Sequence, residues 1–398
     1  MTSFEAFLRS ALQEAETQGL RRKLREIDTI RGTTITIGGR ELHNFSSNDY
    51  LGLAGHPALA AAMAEAAGCW GTGATASRLI CGTTKEHAAL EEELAAAKGT
   101  EAALVFSTGM AAATGAIPSL MGKGDVIILD KLAHACLIDG ARASEALLRV
   151  FPHNDLEKLE SHLKWAREAH PAAKVMILTE SIFSMDGDLA PLAEIVALKE
   201  RYGAILFLDE AHAVGVRGIP VGVRGNSGGV LGQGARGLAG ELGLGDRVEI
   251  QMGTLGKALG VSGGYIAGSR ALIDFLINRA RSFIFSTAPS PAVAAACRAA
   301  LRIVQSEEGD ALLSRLHQNL ALLASELKIS TPQSAIIPII LGSEERALAE
   351  AARLLEAGFF VPAIRYPTVP RNTARLRITL SAAHELEQIE ELTTVLRG

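Results

Sequence analysis

The chain has 398 residues, of which 48% are hydrophobic, and it carries a formal net charge of −5 at pH 7. This length and composition predict a globular protein with a large buried core, in two domains or in one large domain with an appendage. The acidic balance and the lack of any block of basic residues exclude a nucleic-acid-binding protein, and no apolar run reaches the roughly 18 residues that a membrane span needs.

The four cysteines and the N-terminus indicate the cellular compartment. Cys69, Cys81, Cys136 and Cys297 are widely scattered, with no C-x-x-C pair. They are predicted to be buried free thiols of a protein from a reducing compartment. The first residues, Met1 to Phe7, are amphipathic and carry an acid, unlike a secretory signal. The expected location is the cytoplasm.

The first 45 residues predict a helical and hairpin segment. Residues 4–27 have the pattern of a polar helix, and residues 33–39 form a short hairpin-like run. The segment is too short for a hydrophobic core of its own.

Residues 46–290 predict a large α/β domain built on a mostly parallel sheet of about seven strands. Short apolar runs alternate there with helical stretches, and their continuous apolarity is typical of strands buried under helices on both faces. The runs are Ala102–Phe106, Val126–Leu129, Val175–Thr179, Ile205–Leu208, Val248–Met252, Tyr265–Ala267 and Phe283–Phe285.

The pattern changes after the Pro-Ser-Pro sequence that ends at Pro291. An Ala-rich helix leads to shorter apolar runs with polar partners, at residues 335–341, 359–364 and 376–380. Residues 291–398 are therefore predicted to form a smaller C-terminal α+β domain.

The letters Asp-Glu-Ala-His at residues 209–212 match the magnesium-binding box of helicases. An ATP motor also needs a phosphate cradle of the form G-x-x-x-x-G-K-[ST]. The nearest candidate ends in Gly256-Lys257, but Gln251 replaces its first glycine and Ala258 its hydroxyl residue. A dinucleotide-binding dehydrogenase is also disfavoured, because the Gly-Thr-Gly sequence at residues 71–73 precedes the first clear strand. No metal site is predicted.

Reactive residues follow four of the predicted strands, at the edge where open α/β sheets bind ligands. The segments are residues 107–110, 179–184, 209–212 and 254–257. Lys257 follows an apolar strand with no neighbouring charge in the sequence, so its amine is expected in an apolar pocket. A desolvated lysine loses its proton more readily and can form an imine with a carbonyl.

Pyridoxal phosphate is the imine partner that would use the other groups. A carboxylate beside its pyridine nitrogen raises the pKa of that nitrogen by roughly one to three units, and Asp209 is placed to do so. His212 could reach the phenolic oxygen of the ring. The sequence from Thr108 to Met110 opens a helix whose amide groups suit a phosphate.

These motifs resemble the α-oxoamine synthases, a branch of the fold-type I pyridoxal-phosphate transferases, over almost the whole chain. The likeness runs from Leu20-Arg-Arg through Asn44-Phe-Ser-Ser-Asn-Asp-Tyr-Leu-Gly52 and Gly71-Thr-Gly-Ala-Thr-Ala-Ser-Arg-Leu-Ile-Cys-Gly-Thr83 to Ile364-Arg-Tyr-Pro-Thr-Val-Pro370 and Ala374-Arg-Leu-Arg-Ile378. The resemblance implies a large sheet domain with a small C-terminal domain, and a homodimer with shared active sites.

The resemblance also implies residue roles. Lys257 would be the Schiff-base lysine, Asp209 the partner of the pyridine nitrogen, His212 the partner of the phenolic oxygen and His134 the ring stacked on the cofactor. Further cofactor contacts would be Gly109, Met110, Ser184 and Thr254, with Ser286 and Thr287 donated by the second subunit. Substrate-side positions would be Arg21, Asn48, Ser77, Arg365 and Thr368, and Arg377 would grip the substrate carboxylate with its planar fork. The simpler interpretation of Arg375 and Arg377 places them on alternate faces of a strand with one in solvent, an expectation that suits a single functional arginine.

Family members join an amino acid to an acyl-coenzyme A with loss of carbon dioxide. The C-terminal stretch is most similar to members that condense L-alanine with a pimeloyl thioester in biotin synthesis. Alternatives inside the family are 2-amino-3-oxobutyrate coenzyme A ligase, 5-aminolevulinate synthase and serine palmitoyltransferase. Tyr366 and Met110 depart from the common pattern. A non-catalytic scaffold subunit would generally lack the lysine that stands at position 257.

A glycine-rich span continues from Gly215 to about Gly245, and its part from Gly218 to Gly234 exceeds the family pattern by roughly a dozen residues. It is predicted to be a surface loop. Its position after the Asp-Glu-Ala-His sequence motivates the hypothesis of a flap near the thioester entrance.

Overall fold

The computed structural model describes residues 2–217 and 233–398. The chain divides into two compact units, one formed by Asn48–Gln318 and the other by Met1–Ser47 together with Asn319–Gly398. The predicted flap lies almost wholly outside the described residues.

The helices begin and end at the following residues: Ser3–Thr17 (α1), Pro57–Trp70 (α2), Lys85–Lys98 (α3), Gly109–Leu120 (α4), Ala135–Ala143 (α5), Leu156–Ala169 (α6), Leu192–Arg201 (α7), Gly237–Glu241 (α8), Arg270–Arg279 (α9), Arg281–Ile284 (α10), Pro291–Val304 (α11), Glu307–Leu327 (α12), Glu344–Glu356 (α13) and Leu386–Arg397 (α14).

The strands are Thr29–Arg31 (β1), Thr34–Ile37 (β2), Arg40–Asn44 (β3), Ala102–Phe106 (β4), Val126–Asp130 (β5), Leu147–Phe151 (β6), Val175–Glu180 (β7), Ile205–Asp209 (β8), Ile250–Thr254 (β9), Gly264–Gly268 (β10), Ile336–Gly342 (β11), Phe359–Phe360 (β12), Ala363–Ile364 (β13) and Ala374–Thr379 (β14).

A seven-stranded sheet organises the Asn48–Gln318 unit. Its strand order is β4-β10-β9-β8-β7-β5-β6. β10 is antiparallel to both of its neighbours, and the other pairs are parallel. Every residue of β4, β5 and β7 is buried, as continuous apolar runs predict for strands covered on both faces. The predicted α/β fold class with a mostly parallel seven-stranded sheet is confirmed.

One predicted strand is wrong and one was missed. The run from Phe283 to Phe285 begins inside the short helix α10, where Phe283 is buried against the core. A short apolar run fits a buried helix as well as a buried strand. The seventh strand is instead β6, at the edge of the sheet. Most of its residues are at least partly exposed, so its sequence shows little continuous apolarity.

Two small sheets organise the other unit. In one, the hairpin strands β1, β2 and β3 are extended by β12, which runs parallel to β3. In the other, β14 lies between β11 and β13, antiparallel to both. The N-terminal segment obtains its core in this way, from residues more than three hundred positions later in the chain. Its first helix ends at Thr17, ten residues before the predicted end.

The domain boundary predicted near residue 290 differs from the boundary between the compact units. α11 lies in the Asn48–Gln318 unit, where it packs on α2 and α3. It begins at Pro291, whose fixed φ suits the first position of a helix, and Ser290 caps it through the amide of Ala292. The Pro-Ser-Pro sequence thus marks the start of a helix and not a change of domain.

The cysteine prediction is partly wrong. All four cysteines are free, but only Cys136 and Cys297 are buried, whereas Cys69 and Cys81 are exposed. Within the described residues, no helix is long and apolar enough to cross a membrane.

Candidate active site

The carboxyl ends of five strands of this sheet, β4, β5, β7, β8 and β9, carry the candidate catalytic residues. The chain leaves β4 into the N-terminus of α4, where the Thr108 side chain accepts a hydrogen bond from the Ala111 amide at 3.0 Å. β7 and β8 end side by side, with Glu180 the register partner of Asp209. His134 follows β5 and Lys257 follows β9, so the parallel arrangement brings all of these residues to one edge.

The turn that carries Lys257 is tight. Its carbonyl accepts a hydrogen bond from the Gly260 amide at 2.8 Å. Gly260 has a φ of 68°, and a Cβ there would lie 2.4 Å from the backbone nitrogen of Ala54. Only glycine fits this close approach, so the turn that follows Lys257 depends on Gly260.

A cleft of about 160 Å³ lies at this edge. Its walls include seven residues predicted for the cofactor site, and these are Gly109, Met110, His134, Asp209, His212, Thr254 and Lys257. Four further lining residues had no predicted role, namely Cys136, Glu180, Ala211 and Met252, although Glu180 and Ala211 lie in the segments 179–184 and 209–212.

Lys257 heads a chain of hydrogen bonds into the protein. Its Nζ lies 2.6 Å from Nε2 of His212, whose Nδ1 lies 2.6 Å from the hydroxyl of Tyr50. That hydroxyl donates to the side-chain oxygen of Asn48 at 3.0 Å. Because an amide oxygen only accepts, Tyr50 in turn accepts from His212 Nδ1–H. A neutral His212 is then left with a lone pair on Nε2 that faces the lysine amine.

Asp209 is a buried acid that lines the cleft. It is 4% exposed, and one carboxylate oxygen accepts the Ala211 amide at 2.9 Å. Burial raises the pKa of Asp209, although the Lys257 ammonium, the Ala211 amide and His134 partly oppose the rise. The lysine therefore does not stand alone in an apolar pocket as its sequence neighbours suggest.

Glu180 is a second buried acid in the same cleft. Its Oε1 has no hydrogen-bond partner, and burial, with the nearby Asp209, raises the pKa of the group well above its ordinary value. The backbone amide of His134 donates to this side chain. His134 itself is exposed to the cleft, where partial desolvation lowers its pKa and favours the neutral ring.

The cleft fits pyridoxal phosphate. A lysine amine is available for an aldehyde, and a buried carboxylate is available for a ring nitrogen. The first turn of α4 presents backbone amides that suit a phosphate. Gly109 contributes no side chain at this point, and a Cβ there would lie 3.2 Å from Cε of Met252. The unsatisfied oxygen of Glu180 also indicates that a polar group of a ligand belongs here.

Other predicted site residues lie outside this cleft. Ser184 is buried in the turn after β7, which closes through a bridge between Ile182 and Leu189. Ser77 pairs with Thr287 in an isolated bridge, next to Ser286. Asn48 is linked to the cleft through Tyr50 and His212. The predicted roles of these residues stay predictions.

The predicted substrate-side arginines lie in the other unit. Arg21, Arg365 and Thr368 line a separate cleft of about 1020 Å³. Arg377 is on β14, 7% exposed, and Arg375 is 4% exposed. The expectation that one of these two arginines lies in solvent is wrong, because residues two apart on a strand share one face.

A buried ion pair supports the strand end behind Asp209. Lys98 Nζ bonds the carboxylate of Glu210, and both side chains are at most 1% exposed. The other carboxylate oxygen accepts the Ala239 amide at 2.9 Å. This pair holds β8 to the C-terminus of α3 and to α8.

We expect Glu210→Gln to lower the free energy of unfolding by about 3–5 kcal/mol, because it leaves the Lys98 ammonium buried without a counter-charge. Urea unfolding of the cofactor-free protein measures the loss. The exposed pair of Glu200 and Arg247, 2.5 Å apart, supplies the control, and Glu200→Gln should leave the midpoint unchanged. Equal midpoints for the two variants would contradict the role given to Glu210.

Comparison with known proteins adds independent information. The family model described as aminotransferase class I and II matches residues 40–396. An 8-amino-7-oxononanoate synthase of Geobacter sulfurreducens is 47% identical over 390 residues, covering 97% of this chain and 95% of the relative.

Solved structures with the same fold extend the comparison. The serine palmitoyltransferase of S. paucimobilis with a bound PLP–myriocin adduct matches with a TM-score of 0.89 and 28% identity, over 100% of this chain and 98% of that one. The 8-amino-7-oxononanoate synthase of Francisella tularensis matches with a TM-score of 0.71 and 27% identity, over 89% and 96%.

Proposed function

Because the chain belongs to the aminotransferase class I and II family, in its α-oxoamine synthase branch, we propose that it condenses L-alanine with a pimeloyl thioester. The products would be 8-amino-7-oxononanoate, carbon dioxide and the free thiol of the carrier, a step of biotin synthesis. The predicted family and its cofactor, pyridoxal phosphate, are confirmed by the matches.

The observation that carries the proposal is the 47% identity to an 8-amino-7-oxononanoate synthase along nearly the full length of both chains. The TM-score is higher for the serine palmitoyltransferase of S. paucimobilis, at 0.89, than for the 8-amino-7-oxononanoate synthase of Francisella tularensis, at 0.71. Because one fold serves several substrates, we give the sequence identity more weight for the choice of substrate. Lys257, in the same cleft as Asp209, supports an enzyme over a scaffold subunit.

The cleft residues have chemical roles in this proposal. When bound, pyridoxal phosphate supplies a ring that withdraws electrons from the α-carbon of the amino acid. Lys257 would hold the cofactor, and its Nζ would take and return the α-proton. His212 Nε2, 2.6 Å away, can relieve Nζ of its extra proton and so keep the amine nucleophilic.

The remaining residues would keep the ring in its reactive state. The Asp209 carboxylate would hold a proton on the ring nitrogen. His134 would cover the face of the ring and exclude water. Arg377 would bind both oxygens of the substrate carboxylate, since a guanidinium offers a planar pair of donors.

A homodimer is part of the proposal. Large apolar side chains lie exposed near the bridge between Ser77 and Thr287, with Ile80 79% and Phe285 70% exposed. A second copy of the chain would cover such side chains and could place Thr287 at its neighbour's cofactor phosphate. The cytoplasm remains the expected location of the enzyme.

A matrix of substrates tests the proposed function. We expect kcat/KM for L-alanine with pimeloyl-coenzyme A to exceed that for glycine by at least about tenfold, the usual worth of one methyl group in a fitted pocket. L-serine adds a hydroxyl group to the alanine side chain and should also react more slowly than L-alanine. Acetyl- and palmitoyl-coenzyme A serve as the thioester controls. Faster condensation of L-serine with the palmitoyl thioester would reject the proposal in favour of a serine palmitoyltransferase.

A further inference from the structure

A histidine outside the cleft joins two acids that belong to different loops. The imidazole of His153 lies between Asp130 and Asp188, with Nδ1 3.1 Å from Oδ1 of Asp130 and Nε2 2.7 Å from Oδ2 of Asp188. The ring also meets Phe183 edge to face, with the two centroids 4.2 Å apart. None of these four residues lines the cofactor cleft.

The geometry requires a charged imidazole. An ionised carboxylate only accepts hydrogen bonds, so each ring nitrogen that faces one must carry a proton. Burial alone would lower the pKa of His153, but its hydrogen bonds to Asp130 and Asp188 outweigh burial and raise the pKa to about 10. With both nitrogens engaged, His153 cannot serve as an acid or base for a substrate.

Asp130 stabilises the start of the loop that carries His134 by accepting hydrogen bonds from its backbone amides. It ends β5, is fully buried, and accepts the Leu132 amide at 2.8 Å and the Asn154 amide at 3.0 Å. The four residues from Asp130 to Ala133 form a single turn, closed by the Ala133 amide on the Asp130 carbonyl at 3.1 Å, and His134 follows it directly.

Asp188 belongs to the turn that carries Ser184. The Phe183 amide donates to the Asp188 carbonyl at 3.1 Å, and the Gly187 amide donates to the Phe183 carbonyl at 2.8 Å. Asn154 adds a second tie, because its side-chain nitrogen donates to Asp188 at 3.2 Å and to the Leu189 carbonyl at 3.1 Å.

We propose that His153 is a positioning residue that locks the His134 loop to the Ser184 turn and so fixes the place of His134 at the cofactor cleft. The imidazolium attracts both acids, which would otherwise repel each other across the gap. This inference rests on the proposed cofactor contacts of His134 and Ser184, but it does not depend on which amino acid or thioester the enzyme uses.

Cofactor retention by the holoenzyme tests this role without a substrate. His153→Gln and Asp188→Asn break the same link from its two sides. We expect each variant to release pyridoxal phosphate into cofactor-free buffer roughly tenfold faster than the wild type, the lower end of what the loss of an outer-shell partner costs. The visible circular dichroism of the bound cofactor should fall in both variants, because the ring is held less firmly.

The double variant and a stability control separate positioning from general weakening. If one link is lost, the double variant should release the cofactor no faster than the faster single variant. Arg298→Gln breaks a comparable network, with Glu86 at 2.6 Å and Glu93 at 3.0 Å, away from the cleft. It should lower the unfolding midpoint without hastening release.

Release from His153→Gln no faster than from Arg298→Gln would overturn the proposal, as would additive effects of the two cluster substitutions. The side chain of Asp188 is 40% exposed, so we expect Asp188→Asn to fold. If His153→Gln does not fold, the release rate from Asp188→Asn alone tests the proposal. A wrong substrate assignment would leave all of these results unchanged, whereas a chain that binds no cofactor would refute the proposed function itself.

Discussion

Lys257→Ala is expected to abolish the condensation and to leave no covalent link between the cofactor and the protein. The loss of proton transfer at Nζ alone should lower kcat by about 10²–10⁴-fold. Among the described residues that line the cleft, Lys257 is the one lysine, so no other lysine of that lining can replace it. Its Nζ lies 2.6 Å from Nε2 of His212.

Borohydride reduction followed by intact-mass measurement checks the link directly. The wild type should gain the mass of one reduced cofactor per chain, and the variant should gain none. Lys123→Ala is the matched control, since Lys123 is exposed in the turn that leads into the amino end of β5, at the opposite edge of the sheet. A cofactor still attached to the Lys257→Ala chain would refute the assignment.

Much of the site could be predicted because it depends on local sequence. The strand that precedes a short polar segment determines where that segment lies. The carboxyl ends of parallel strands lie at one edge of the sheet, so the segments that follow them lie close together. Gly109, Asp209, Thr254 and Lys257 all entered the predicted site by this argument, and one cleft contains them.

The residues whose roles were not predicted depend on contacts with residues far away in the chain. Tyr50 contacts His212 across 162 positions, and nothing in the sequence around either residue indicates the other. Glu180 ends a strand as Asp209 does, but only its unsatisfied, buried oxygen distinguishes it from an acid that caps a helix. His153 gains its charge from two acids that the fold brings together.

The errors in the fold prediction have a related cause. Whether a short apolar run becomes a strand or a helix depends on the surface that receives it, which explains the helix at Phe283. An edge strand needs apolar residues on only part of its surface, so β6 gave a weak signal. One compact unit combines Met1–Ser47 with Asn319–Gly398, the two ends of the chain. Local sequence patterns do not indicate that two such distant segments fold together.

Asp209→Asn is expected to separate activity from stability. The amide keeps the shape of the side chain and an oxygen for the Ala211 amide, which donates to Asp209 at 2.9 Å. It cannot hold a proton on the ring nitrogen through a negative charge. A fall of roughly one to three units in the pKa of that nitrogen corresponds to a loss of about 10–1000-fold in kcat.

The cofactor-free protein should respond in the opposite direction. Burial raises the pKa of Asp209 above its ordinary value of 3.8, so the folded protein binds this proton more tightly than the unfolded chain. The ionised form therefore costs stability, and the cost grows as the pH rises from the unfolded pKa through the folded one. Asp209→Asn removes the cost, and the variant should be at least as stable as the wild type at pH 8, with a smaller difference at pH 4, close to the ordinary pKa of 3.8.

Urea unfolding at the two pH values, beside kcat for each protein, measures both effects. Asp155→Asn is the control, because Asp155 caps α6 through the Lys158 amide at 2.9 Å, and asparagine caps a helix about as well as aspartate. It should change neither quantity. An Asp209→Asn protein that is both active and destabilised would mean that the carboxylate serves the fold, as Glu210 does, and that the ring nitrogen has another partner. The proposed function requires at this position a buried acid whose ionised form costs stability and is retained for its chemistry.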